Sequence, residues 1–213
     1  DAAQAICSRV DGMTAGSAGD VGCFSLHPLK NLNAAGDAGF ITLNDDEQAA
    51  RLKRLRNHGF INRETSLEFG YVSRLDTLQA AILRMRLTRL DAVIGRRRYN
   101  AEPYRGRPNQ ARVFAPPCQV GEYNTFHTFV VQAERRDALR EHLLAQGVQT
   151  SVHYPVPIHL QPAAAHLGYK KGDFPVVEAQ AERILSLPIN QFVADADIDY
   201  VCGTIDDFYA KNR

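Results

Sequence analysis

Prolines decide the large-scale organisation of this chain. Pro103, Pro108, Pro116 and Pro117 fall within one short stretch, just after the strongest helical pattern in the sequence. Each lacks a backbone N–H and fixes its own φ, so helix interiors and central strands exclude them at such density. The stretch is therefore expected to be a connection, with one domain over residues 1–100 and a second over 105–213. A chain of 213 residues is long enough for one large domain or two small ones.

On either side of that connection, strand and helix signals alternate, which predicts an α/β chain. Residues 20–25 read as a short buried strand, and Phe40-Ile41-Thr42-Leu43 as an apolar strand entered through the turn Ala35-Gly36-Asp37-Ala38-Gly39. Asn44 or Asp45 is placed to cap a helix over Glu47 to Asn57. The polar segment 59–69 reads as a loop. Leu75, Leu78, Ile82 and Met85 set the stripe of a long helix over residues 75–98. Past the prolines, strands are expected at 126–131 and 148–153, and helices at 135–146, 175–184 and 195–210.

Composition excludes several classes of function. Acids and bases nearly cancel, leaving a formal net charge of +1, and the basic stripe of a nucleic-acid binder is missing. The densest basic run, Arg96-Arg97-Arg98, reads as a solvated helix end. No apolar run approaches the roughly 20 residues that span a bilayer, so no membrane partner is expected. Cys7, Cys23, Cys118 and Cys202 are scattered without a C-x-x-C pair. They fit free thiols in a reducing compartment, which points to the cytoplasm and away from a metal site. The chain opens at Asp1 without a methionine, as if entering mid-domain, and is expected to be truncated.

Lys30 is the leading candidate for chemistry. It follows a strand, stands two residues after Pro28 and lies between glycine-rich turns, so a short rigid loop holds it. Desolvation there would lower its pKa and free a nucleophilic amine, although the same position suits a solvated surface lysine. Ser25, five residues earlier, could donate to a phosphate or simply shape a turn. A carboxylate such as Asp1 can pair with a pyridinium nitrogen, and an amide such as Gln4 can bond a ring oxygen. His153 and His159 flank a proline-rich loop and lack the further ligands that zinc requires, so no metal is expected.

Longer motifs carry a resemblance. Asp1-Ala-Ala-Gln-Ala5, the run Gly19 to Leu32 and Gly36-Asp37-Ala38-Gly39 are followed by Arg56-Asn57-His58-Gly59 and by Gly70 to Ala81. His153-Tyr154-Pro155-Val156-Pro157-Ile158-His159 and Leu187-Pro188-Ile189 complete the order. In these motifs the chain resembles the DegT/DnrJ/EryC1/StrS family of pyridoxal-phosphate sugar aminotransferases over essentially its whole length. The resemblance implies a fold-type-I transferase, with part of a large domain built on a mixed, mostly parallel sheet and a small C-terminal α/β domain. It also implies an upstream segment with further strands, a phosphate turn and an aromatic residue that stacks on the cofactor.

By the same resemblance, Lys30 is the Schiff-base lysine, Asp1 the partner of the pyridine nitrogen, Gln4 the residue against the ring and Ser25 a phosphate ligand. His159 matches a segment near the sugar-nucleotide site. The implied reaction moves an amino group, from glutamate, onto a nucleotide-linked keto sugar, in a homodimer. The alternatives are a dehydratase of the same family, in which histidine replaces the lysine, and a non-catalytic truncated remnant. Val72 departs from the pattern: many relatives carry asparagine there, reaching the partner subunit's cofactor phosphate.

Overall fold

In the computed structural model, residues 1–107 and 111–211 are described, so Pro108 lies outside the described residues. The strands are β1 (Arg9–Val10), β2 (Met13–Thr14), β3 (Val21–Ser25), β4 (Gly39–Leu43), β5 (Val113–Phe114), β6 (Glu122–Tyr123), β7 (Phe129–Ala133) and β8 (Ile184–Leu187). The α-helices are α1 (Asp46–Leu55), α2 (Thr77–Leu87), α3 (Leu90–Gly106), α4 (Arg136–Ala145), α5 (Pro175–Ala181) and α6 (Asp195–Lys211). Two compact units divide the chain. The first holds Asp1–Gly95 and Cys118–His127, the second Arg96–Pro117 and Thr128–Arg213. The division thus falls inside α3, ahead of the prolines. The segment 118–127 returns to the first unit.

In the first unit β3 pairs with β4 from Val21↔Leu43 to Ser25↔Gly39, and β1 pairs with both β2 and β6. All described ladders are antiparallel, so the mostly parallel sheet expected for this domain is not found among the described residues. Parallel neighbours need a long crossover to return the chain in the same direction. Here the 13 residues between β3 and β4 fold back as a loop and bring β4 beside β3 the other way. The core gathers Leu26, Leu32 and Ala34 from that loop with Leu83, Leu90 and Ile94 from the helices.

The expected 75–98 helix is two helices. Thr88 turns its hydroxyl back onto the Met85 carbonyl at 2.8 Å, and α3 starts afresh at Leu90. Such side-chain bonds compete with the helical ladder. Between α1 and α2 the chain doubles back: the His58 N–H meets the Tyr71 carbonyl at 2.9 Å, and Ser73 N–H meets the Arg56 carbonyl at 3.0 Å. Gly59, at φ 75°, and Gly70 allow this approach, because a Cβ on either would run into the opposite backbone.

In the second unit β7 is central, paired with β5 and β8. Its alternating burial follows the two-residue period of a strand with one face inward. Leu139 and Leu143 of α4 are fully buried, and α6 buries Ile198, Val201, Cys202, Ile205 and Phe208 at helical spacing. The expected strand 148–153 shrinks to the single bridge Ser151↔Ser186. The Pro155 and Pro157 that follow have no N–H with which to lengthen a ladder. Likewise the helix expected over 175–184 stops at Ala181, and residues 184–187 become β8. The basic run is also corrected: Arg97 is 5% exposed, and Arg96 bonds Asp195 at 2.7 Å inside a helix that continues to Gly106.

Candidate active site

The loop after β3 is pinned at both ends. Leu26 N–H donates to the Ala38 carbonyl and Ala34 N–H to the Leu26 carbonyl, each at 2.8 Å. Leu26, Leu32 and Ala34 sink into the core, while His27, Pro28 and Leu29 stay exposed. From α2, Gln79 accepts the Ala35 N–H at 2.8 Å and Arg86 donates to the Asn33 carbonyl at 2.7 Å. A loop held from two sides is a rigid mount, the requirement for a precisely aimed group.

Lys30 sits on this mount. Its N–H closes a turn to the His27 carbonyl at 2.9 Å, and its side chain is half-buried. Burial pushes its pKa below the ordinary lysine range, because a drier environment disfavours the ammonium. The amine nitrogen lies 3.4 Å from Nε2 of His127, a residue 97 positions away. His127 lies within the strand expected over 126–131 and is not among the residues the sequence marks for chemistry. Nothing in its local pattern distinguishes it.

The other first-unit candidates gather around β3. Ala2 N–H donates to the Cys23 carbonyl at 2.9 Å, which ties the Asp1–Gln4 turn to the strand that ends at Ser25. Asp1 is exposed, with Oδ1 accepting the Ala3 N–H at 2.8 Å. Gln4 is exposed too. Ser25 Oγ accepts the His27 N–H at 3.3 Å, which leaves the hydroxyl proton for another acceptor.

His159 lies in the second unit, its side chain only 8% exposed. Its Nε2 is 2.9 Å from Glu178 Oε1, and its ring meets Phe174 edge-on at 4.8 Å. Glu178 also accepts the N–H groups of Gly172 and Phe174. His159 and these backbone groups hold the Glu178 carboxyl below the usual carboxylate range. His153 bonds Ser186 through Nδ1 at 2.8 Å. Among the described residues no acidic, histidine and cysteine groups cluster as metal ligands, and no helix is long and apolar enough to cross a membrane.

What the first unit offers chemically is a part-desolvated primary amine beside an imidazole, with a carboxylate and a hydroxyl placed around one strand. That set suits condensation with a carbonyl compound.

Known proteins fit this picture. The chain is 40% identical over 212 residues to a pleiotropic regulatory protein of Geobacillus stearothermophilus, covering 98% of this chain and 57% of that protein. It is 43% identical over 190 residues to the dTDP-3-amino-3,4,6-trideoxy-alpha-D-glucose transaminase of Streptomyces venezuelae, covering 89% of this chain and 50% of that enzyme. Among solved structures, S. venezuelae DesV in complex with a ketimine intermediate superposes with a TM-score of 0.91 at 39% identity, over 97% of this chain and 56% of that one. The chain thus spans about half the length of the relatives it matches. With the sequence profile matching over residues 1–206, this chain belongs to the DegT/DnrJ/EryC1/StrS aminotransferase family.

Proposed function

We propose that the chain carries the lysine-bearing part of a pyridoxal-phosphate-dependent aminotransferase. Its reaction moves an amino group, supplied by glutamate, onto a keto sugar linked to a nucleotide. The observation that carries this reading is Lys30, a part-desolvated amine mounted on a loop pinned at both ends.

The residues fit the cofactor. An amine with a lowered pKa spends more of its time unprotonated, the form that attacks a carbonyl. The Ser25 hydroxyl has its proton to give to a phosphate oxygen, and the Asp1 carboxylate has Oδ2 to offer a ring N–H. Pyridoxal phosphate, when bound, supplies a carbonyl that condenses with amines and a ring that stores the electron pair of a deprotonated carbon. Lys30 would hold the cofactor through Nζ and, when free, would take up and return a proton at that atom. Asp1 would hold the proton on the ring nitrogen, Gln4 would bond the ring oxygen, and Ser25 would anchor the phosphate. His159, held by Glu178, is assigned to the sugar-nucleotide side.

On this reading the first unit, Asp1–Gly95 with Cys118–His127, is the rear portion of the cofactor domain, and the second is the small C-terminal domain of a cytoplasmic homodimer. Borohydride reduction of the protein mixed with pyridoxal phosphate tests the assignment directly. The label is expected on Lys30, and Lys30→Ala is expected to abolish it. Label on Lys53, Lys170, Lys171 or Lys211 instead overturns the reading. Turnover is then measured with glutamate and nucleotide-linked keto sugars. The panel starts from dTDP sugars with the keto group at carbon 3, the carbon that bears the amino group in the Streptomyces venezuelae enzyme's name.

A further inference from the structure

Lys30 has a neighbour to which the transfer chemistry gives no part. We propose that His127 is a positioning residue for the Lys30 amine, its Nε2 receiving one N–H of Lys30 and fixing where the nitrogen's electron pair points. This rests on Lys30 being the cofactor lysine.

The juxtaposition is built by several independent bonds. Asn31, buried beside Lys30, donates Nδ2 to the Thr125 carbonyl at 2.8 Å. Thr125 is fully buried, and its hydroxyl lies 3.0 Å from that of Ser8. Pairing of β6 with β1 then locks residues 122–123 to 9–10. Phe126, next to His127, is held at φ 46°, a left-handed conformation that a bulky side chain rarely adopts. The segment thus leaves its easy backbone path at the residue just before the imidazole.

The chemistry explains why an imidazole suits this place. A lysine amine swings on four flexible carbons and has three equivalent donors, so burial alone does not orient it. A carboxylate partner would orient it, yet would stabilise the ammonium and raise its pKa, leaving fewer molecules with a nucleophilic amine. A neutral imidazole accepts the same hydrogen bond with a much smaller bias toward the charged form. Burial is the cause of the lowered Lys30 pKa, with no charged neighbour contributing. The 3.4 Å contact is long, and such contacts tighten when the reactive atom is engaged.

Two measurements on the full 213-residue chain test this. First, nitrogen NMR of the histidine rings reads the contact without any cofactor. Lys30→Met is expected to shift the His127 Nε2 resonance, and an unchanged resonance overturns the contact. Second, the rate at which pyridoxal phosphate becomes trapped on Lys30 by borohydride reads the orientation. His127→Phe is expected to slow trapping about tenfold, the cost of one neutral hydrogen bond at the upper end of its range. His127→Gln, whose amide oxygen reaches the place of Nε2, is expected to recover to within about threefold. Melting temperatures check that each variant is folded. If His127→Phe melts early, His127→Asn replaces it, polar but too short to reach, and is expected to be slow. Trapping at the wild-type rate in the Phe or Asn variant overturns the proposal, as does a Gln variant no faster than either. Wild-type label on another lysine sinks the functional reading instead, and the NMR result still decides whether His127 holds Lys30.

Discussion

Glu178 shows how much a single side chain can organise. It gathers His159 and the N–H groups of Gly172 and Phe174, so one carboxylate closes the loop around residues 159–174. Its pKa is depressed in the folded chain, first by the bond from His159 and then by the backbone donors. The sign follows directly. A carboxylate with a lower folded than unfolded pKa contributes stability that is present above the unfolded value and lost as pH falls through the folded one. Glu178→Gln is therefore expected to lower the melting temperature at pH 7. It should also flatten the loss of stability below about pH 4.3, the ordinary glutamate value. Parallel acid melts of the two proteins, with the same slope in both, would contradict this. None of the Glu178 arrangement was legible in the sequence, because its partner stands 19 residues away and the pairing exists only once the loop closes. The same holds for Arg97, read as solvated, whose Nε finds Gln191 at 3.2 Å across 94 residues. Pro28 and the glycines drew notice to Lys30 but suit a surface lysine equally, so the family motif singled it out, whereas His127 has no local mark.

At the scale of elements, what the sequence disclosed divides along the same line. β3, β4 and α1 follow from short-range rules, and α1 starts where its cap predicts. Asp45 Oδ1 accepts the N–H groups of Glu47 and Gln48 at 2.9 and 3.0 Å. β8 and the bridge at Ser151 depend on a strand arriving from elsewhere, so local pattern runs a helix to residue 184, misses β8 and draws a full strand over 148–153. The energetic consequences differ as well. α1 buries none of its side chains, so its cap matters locally. Asp45→Ala is expected to cost about 1 kcal/mol, read as faster hydrogen exchange at Glu47 to Arg51 with little change in the melting of the whole chain. Leu143 of α4 is fully buried among β7, β8 and α6 neighbours. Leu143→Ala is expected to cost about 2–5 kcal/mol in global unfolding, because the cavity it leaves cannot fully close. If the cap variant proved the more damaging in denaturant titrations, this ordering of helices would be wrong.

For the whole molecule, the telling feature is apolar surface. In the first unit Phe69 is 103% exposed, Tyr71 73%, Val72 68% and Leu78 72%. Soluble monomers seldom present so many large apolar groups in one stretch of chain, and a second copy of the protein would cover them in the proposed homodimer. Val72 matters most here, since the resemblance implies that many relatives carry an asparagine at this position, expected to reach the partner's cofactor phosphate. Val72 is exposed in this chain, although its backbone bridges Asn57. Val72→Asn should therefore leave stability within about 0.5 kcal/mol of the wild type. In the proposed dimer the new amide should donate to a charged oxygen, a bond worth about 1.5–3 kcal/mol. That corresponds to cofactor binding about ten- to a hundredfold tighter. The gain belongs to the pair, so it should vanish on dilution below the concentration at which the chains associate. Cofactor dissociation measured across a dilution series, with melting temperature alongside, decides it. Equal tightening in dissociated chains would place the donor within its own subunit. Weaker binding with earlier melting would mean that Val72 packs against something its exposure in the single chain does not reveal.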